Sequence, residues 1–293
     1  MRFSDGKGRP VGRWKGFLLL ILLIFRVSSA EGAPLVLGVL GGENALSTSE
    51  AWNGLCASIR EISPIDLRYE VFEKHSSLLR ALKERRIDFA LVDPVWFVKE
   101  KDWLRPLVGT EILGSSTYRV MLIVPRNSIY YKNSDLRVEN LLLTGSHEST
   151  AGFYIPLAVL LESGVPLAGS PRFLDAFESI LKGVAYGTGT EAGPIPSYLW
   201  EQKKGERILE FVRILDVLYF VPSPLLVGRK EDEEDRYRDM KTSLLSLHTT
   251  GSGARALAQT PFSRFTPDTG DEYLYRILAE SIRKVEAVYG PPE

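Results

Sequence analysis

Short runs of branched and aromatic residues alternate along this chain with stretches whose apolar positions recur every three or four residues. Pro34 to Leu40 (PLVLGVL) is β-rich and ends in Gly41-Gly42, which predicts a buried first strand. A helix is predicted from about Ser47 to Ile62, stopped by Pro64. Leu67 to Phe72 alternates as a second strand, and Ser76 to Arg85 places Leu78, Leu79 and Leu82 on one helical face. Ile87 to Val92 predicts a third strand, cut by Asp93-Pro94. Strand, helix, strand, helix, strand in this order predicts a parallel α/β sheet. Further on, Thr117 to Val124 reads as a strong strand and Leu141 to Leu143 as a short one. A polar loop then leads into a helix ending at Ser163, with Gly164 as its cap. Phe173 to Lys182 is predicted as a helix, followed by a turn over Gly183 to Gly187. Val217 to Val227 is β-rich and interrupted by Pro222 and Pro224. Two amphipathic helices, Glu231 to Leu247 and Asp271 to Val288, complete the pattern. The acidic run Glu231 to Asp235 falls at a helix start, where it complements the helix dipole on a solvated face.

The N-terminus has a different pattern. Arg2, Lys7, Arg9, Arg13 and Lys15 precede the apolar run Gly16 to Phe25, and small residues follow up to Ala30. This is the layout of a secretory signal cleaved after Ala30, so residues 1–30 are expected to be absent from a periplasmic mature protein. An uncleaved anchor is the other reading, and no second stretch is apolar enough to span a membrane. Residues 1–30 carry six Lys/Arg and one acid, Asp5, so their removal takes the net charge from −1 to −6. An acidic chain of this kind argues against a nucleic-acid partner, and any anion must be held by local donors. Cys56 is the only cysteine, so no internal disulfide braces the fold, and on a helix it reads as a core residue.

Candidate chemistry concentrates before the helix that ends at Ser163. Ser149 and Thr150 are N-cap residue types, and a helix start offers unpaired N–H donors and the positive end of a dipole. Gly152 would let an oxyanion approach the backbone. Asp93 and Trp96 follow the third strand at its carboxyl end, where open α/β sheets bind ligands. Thr117 and Tyr118 stand before a strand with hydroxyls to offer. No cofactor motif appears, the three histidines (His75, His147 and His248) make a poor metal set, and no G-x-S-x-G, H-E-x-x-H or P-loop is found. Catalysis is not expected.

Four segments together resemble the phosphate/phosphite/phosphonate-binding periplasmic proteins, the solute receptors of phosphonate-type ABC transporters. They are Leu35 to Glu43 (LVLGVLGGE), His75 to Pro94, Ser149 to Pro156 (STAGFYIP) and Phe265 to Tyr275 (FTPDTGDEYLY). The resemblance implies a type II periplasmic-binding fold of two α/β lobes joined by two crossover strands. One lobe would comprise residues 34–122 plus 223–293 and the other residues 123–222. It also implies an oxyanion ligand and an ABC permease as partner. His75 falls where the family has a ligand-touching aromatic. Three positions depart from the family: Ala151 replaces a serine of its Ser-Thr-Ser-Gly signature, the helix beginning at Phe173 lacks its histidine, and Tyr186 stands in for an aspartate after the glycine that matches Gly183. These departures keep a second function open, a periplasmic sensory or interaction protein that signals through a membrane sensor. On the helix-start reading, Thr150→Val should remove most ligand affinity.

Overall fold

The computed structural model describes residues 34–41, 45–145, 148–167 and 169–290. The proposed signal segment, Glu43 and His147 lie outside the described residues. The first sheet has six strands. β1 (Leu35–Leu40), β2 (Leu67–Phe72) and β3 (Phe89–Val92) pair in parallel, with β1 between the other two. Helices α1 (Ala45–Ile62) and α2 (His75–Lys83) provide the two connections, as the alternation of patterns predicts. α2 buries Leu78, Leu79, Ala81 and Leu82, and Cys56 is buried on α1, where desolvation pushes its thiol up to about 11.

Asp93-Pro94 does more than end β3. Asp93 is the N-cap of a short helix, α3 (Pro94–Lys99), and its carboxylate accepts from the Val95 N–H at 3.0 Å. Proline at the first helical position loses no hydrogen bond, so this dipeptide both stops the strand and starts the helix. β4 (Leu104–Glu111), a strand the pattern missed because Pro106 interrupts it, completes the first half of the sheet.

The chain leaves this sheet after Glu111. β5 (Thr117–Pro125) joins a separate antiparallel sheet, between β8 (Gly193–Pro196) and β9 (Val212–Pro222). Thr117 to Leu122 pairs there over its whole length, so the change of sheet falls between Glu111 and Thr117. The chain returns through Ser223-Pro224 to β10 (Leu225–Arg229), which inserts antiparallel between β3 and β4. The two connections run side by side, and the Ser223 N–H donates to the Ser116 carbonyl at 2.8 Å. β11 (Arg264–Thr266) closes the first sheet beyond β4.

The second region also holds a two-stranded parallel pair, β6 (Leu142–Thr144) and β7 (Arg172–Leu174). Here the sequence expectation needs correcting. Phe173 does not begin a helix; it pairs with Leu143, and the helix α5 starts four residues later (Phe177–Tyr186). The predicted turn over Gly183 to Gly187 is instead mostly helix. Gly183 is required because a Cβ there would lie 2.6 Å from Leu142 Cδ1, so the helix packs on β6 through its missing side chain. α4 (Ile155–Glu162) is preceded by a wide π-type turn over Thr150–Tyr154, and Pro156 sits in the first turn of the regular helix. After α6 (Ser197–Gln202), α7 (Glu234–Ser246) and α8 (Gly251–Leu257), the C-terminal helix α9 (Glu272–Tyr289) lies against α3 and α4. Lys99 of α3 donates to Tyr154 Oη at 2.6 Å and pairs with Glu286 of α9 at 2.6 Å, tying the two regions together. Among the described residues no helix is long and apolar enough to cross a membrane.

Candidate functional site

The start of the Thr150 helix behaves as a cap in its local detail. Ser149 is extended, and its hydroxyl accepts from the Gly152 N–H at 2.9 Å. Gly152 serves packing rather than access: a Cβ there would meet the Thr144 carbonyl oxygen and Cγ2, both at 2.5 Å. Ala151 is buried. A serine at position 151 would have no solvent to face.

Thr150 is wholly buried, and its donors are already used. Its hydroxyl donates to Asp93 Oδ1, and its N–H points to the same carboxylate at 3.2 and 3.3 Å. The hydroxyl oxygen accepts from the Val95 N–H at 3.0 Å. A carboxylate from the end of β3 therefore sits on the donors that a helix start would offer an oxyanion.

The residues around this contact are aromatic or polar and mostly buried. His75, the first residue of α2, accepts from the Asp93 N–H through Nε2 at 3.4 Å. Nδ1 faces Glu148 at 3.6 Å, without a hydrogen-bond partner among the described residues. The ring stacks on Trp96 at 5.8 Å, and the Trp96 Nε1 is likewise unpartnered. Tyr118 meets Tyr198 edge-on at 5.2 Å, and its phenol is raised well above the usual range by burial first, then by Tyr198 and Asp93. Burial also raises the Asp93 carboxyl; His75 and the hydrogen bonds from Thr150 and Val95 oppose that shift without cancelling it. For Glu148 burial pushes upward too, but the approach of His75 outweighs it and the carboxyl ends below its usual value.

Beside this seam lies an open cleft of about 730 Å³. It is bounded by Gly41 at the end of β1, Thr144 at the end of β6, Ser149, and Asp175 to Glu178 at the start of α5. Both strands present their carboxyl ends, the position open α/β sheets use for ligands. The volume is that of a small-molecule site. Of the ten sequence candidates, Ser149 alone lines this cleft. Asp93, Thr150, His75, Trp96 and Tyr118 come together in the adjoining seam. Thr117 stands at the crossover, where its backbone bonds with Ser115.

Tyr186 is carried elsewhere. It ends α5, is 62% exposed, and packs on Phe211 at 5.4 Å over a groove of about 520 Å³ with Lys182, Lys203 and Arg207. Because α5 continues through Gly183, Tyr186 sits about 13 Å along the helix axis from the turn that faces the cleft. The residues that do face it, Asp175 to Glu178, are hidden from a sequence reading that begins the helix at Phe173. An aspartate two residues before an apolar helical stretch was the available signal. Among the described residues no three metal-ligating side chains converge.

Known proteins share this fold. A structure from Xanthomonas citri, solved bound to chloride ion, superposes with a TM-score of 0.73 at 19% identity, covering 87% of this chain and 99% of its own. PhnD1 from Prochlorococcus marinus, solved with methylphosphonate, gives 0.70 at 15% identity over 87% and 98%. A binding-protein component of an ABC phosphonate transporter from Pseudomonas aeruginosa gives 0.68 at 14% over 86% and 88%. At such identities these establish the fold, which is the type II periplasmic-binding fold. No curated protein sequence matches the chain. The model of one family, described as the phosphonate ABC transporter's periplasmic substrate-binding protein, runs from residue 37 to residue 273. With a six-stranded and a three-stranded sheet joined by two crossovers, a cleft at the ends of β1 and β6 and a family match over that span, the chain belongs to the periplasmic substrate-binding proteins of phosphonate ABC transporters.

Proposed function

We propose that this chain is an exported receptor that takes a small oxyanion into the cleft at Ser149 and hands it to an ABC permease, with residues 1–30 removed on export. The observation that carries this reading is the convergence of the β1 and β6 carboxyl ends, the Ser149 hydroxyl and the first turn of α5 on one open cleft. The Ser149 oxygen accepts from the Gly152 N–H, which leaves its proton for a ligand. The two sheets with their helices are the lobes, corresponding to residues 34–122 plus 223–293 and to 123–222 with the change of sheet near Ser116. Paired connections at Ser116 and Ser223 make a compact hinge. A solute touching both lobes binds the closed form better and shifts the population toward it.

Isothermal titration and thermal melts of the protein lacking residues 1–30, against phosphate, methylphosphonate and sulfate, test the proposal. A ligand at about 100 times its Kd adds about 2.7 kcal/mol to stability. Ser149→Ala should then weaken binding about tenfold, the size of one lost hydrogen bond. Silence toward all the oxyanions removes this reading.

The second reading, a sensory or interaction protein of the same fold, is favoured by one observation: the Thr150 donors are satisfied inside the protein. In that case the closed form would be presented to a membrane sensor with little or no solute.

A further inference from the structure

An oxyanion entering the cleft meets a carboxylate already in place. Ser149 lines the cleft, and the next residue, Thr150, gives both its hydroxyl proton and its N–H to Asp93. Consecutive Cα atoms are only about 3.8 Å apart, so a solute held at Ser149 is a near neighbour of the Asp93 charge. A carboxylate is chemically a small oxyanion, and Asp93 fills the helix-start donors as one would.

No lysine or arginine pairs with it among the described residues. The groups facing Asp93 are His75 from α2, Thr150 from the turn before α4, Tyr118 from β5, and Tyr198, which lies just after β8. His75 accepts from the Asp93 backbone N–H through Nε2, and its other nitrogen is turned to Glu148, a second acid. Lys99, the cation on the same short helix, is committed to Glu286 and Tyr154. Among the described residues Asp93 makes no ion pair. The carboxylate is therefore held beside the cleft by hydrogen-bond donors and His75, with no lysine or arginine paired to it.

We infer that Asp93 is a specificity-determining residue of this receptor, an internal carboxylate that competes with the solute for the Thr150 donors and repels anions from the adjoining cleft. The inference rests on the cleft being the oxyanion site. It makes the receptor discriminate by charge as well as by shape, since a competitor fixed inside the protein penalises each added negative charge on the solute. The Ser149-Thr150-x-Gly152 segment is thus kept while the Thr150 hydroxyl and N–H are assigned to the protein itself.

The test is titration of inorganic phosphate and methylphosphonate into the wild type, Asp93→Asn and Asp93→Ser. The asparagine is nearly isosteric and still accepts from Val95, and the serine is a good N-cap, so α3 keeps its start in either variant. Circular dichroism and melting curves verify the fold, and if one variant misfolds the other decides. The expected result is a gain of about ten- to a hundredfold in phosphate affinity, the scale of relieving one close like charge. Binding in the variants with none in the wild type supports the competition by Asp93 and overturns oxyanion delivery by the natural protein. Equal or weaker binding in both variants, with the wild type binding, overturns the role of Asp93 and leaves the receptor reading intact. No binding in any of the three proteins overturns both.

Discussion

Asp93 and Glu191 are two carboxylates with similar partners and opposite electrostatic outcomes. Asp93 accepts from the N–H and hydroxyl of Thr150 and from the Val95 N–H. Glu191 accepts from the N–H and hydroxyl of Thr188 and from the N–H groups of Gly189 and Thr190. Burial pushes both upward. In Glu191 the Thr188 bonds and Arg172 at 3.2 Å outweigh it, and the carboxyl falls to about 2. In Asp93 His75 and the hydrogen bonds from Thr150 and Val95 assist, and burial still wins. Counting donors therefore does not predict the direction in which a carboxyl is shifted. What separates the two is the balance between the desolvation each carboxylate suffers and the hydrogen bonds that repay it, led in Glu191 by those of Thr188.

The largest effect expected is at Glu191. Glu191→Ala strands three backbone donors and the Thr188 hydroxyl, and should cost about 3 kcal/mol in urea unfolding. The milder Glu191→Gln gives the pH signature. The folded value lies below the ordinary 4.5, so the stabilisation is complete above about pH 5 and is lost as pH falls toward 2. Wild type and Glu191→Gln should thus converge in melting temperature on acidification.

Gly152→Ala comes next. Its methyl group would be driven into the Thr144 backbone, displacing the turn that seats Thr150, at a cost of about 2 kcal/mol. If melting is unchanged, the close approach of β6 to this turn is not what requires glycine. Thr150→Val removes one donor from a buried carboxylate and should destabilise by about 1–2 kcal/mol. It would also leave Asp93 less tightly held, so the variant reports on the seam before it reports on ligand, contrary to what the sequence motif alone suggests. A Thr150→Val protein with unaltered melting would undo the contrast with Glu191, because Asp93 would then not depend on that bond.

The smallest effect is expected at Asp93. Its folded value is raised, so the ionised form costs stability at neutral pH, and that cost disappears as pH falls through the raised value. Asp93→Asn should melt at the wild-type temperature or slightly above it near pH 7, by up to about 1 kcal/mol. The difference should shrink on acidification. The groups that face it, His75, Tyr118 and Tyr198, are shared by both proteins. A variant markedly less stable at pH 7 would place Asp93 with Glu191, as a structural acid.

Much of the fold was legible in the chain. Branched runs marked β1, β2 and β5, and heptad-like spacing in α2 and α9 matched the buried faces, because these patterns depend on neighbours within a few residues. Asp93-Pro94, Ser149-Thr150 and the proline-broken run at Val217 to Val227 each marked a place where the chain changes course, and each does so in the structure. β7 was not legible: Phe173 reads equally well as the start of a helix, and only the pairing with Leu143 across 30 residues makes it a strand. That pairing moved the start of α5 to Phe177, gave the cleft its wall and carried Tyr186 away from it.

Local periodicity and residue chemistry were enough for the alternation of elements, the parallel pairing of β1, β2 and β3, and the helix start at Ser149-Thr150. Each of these depends on residues close together in the chain. The occupant of that helix start was a matter for the folded molecule. Asp93 and Thr150 are separated by 57 residues and belong to different regions, and their contact exists because the two crossovers bring the end of β3 against the turn before α4. A motif states which donors are on offer, whereas their use depends on the acceptor that the fold brings nearest.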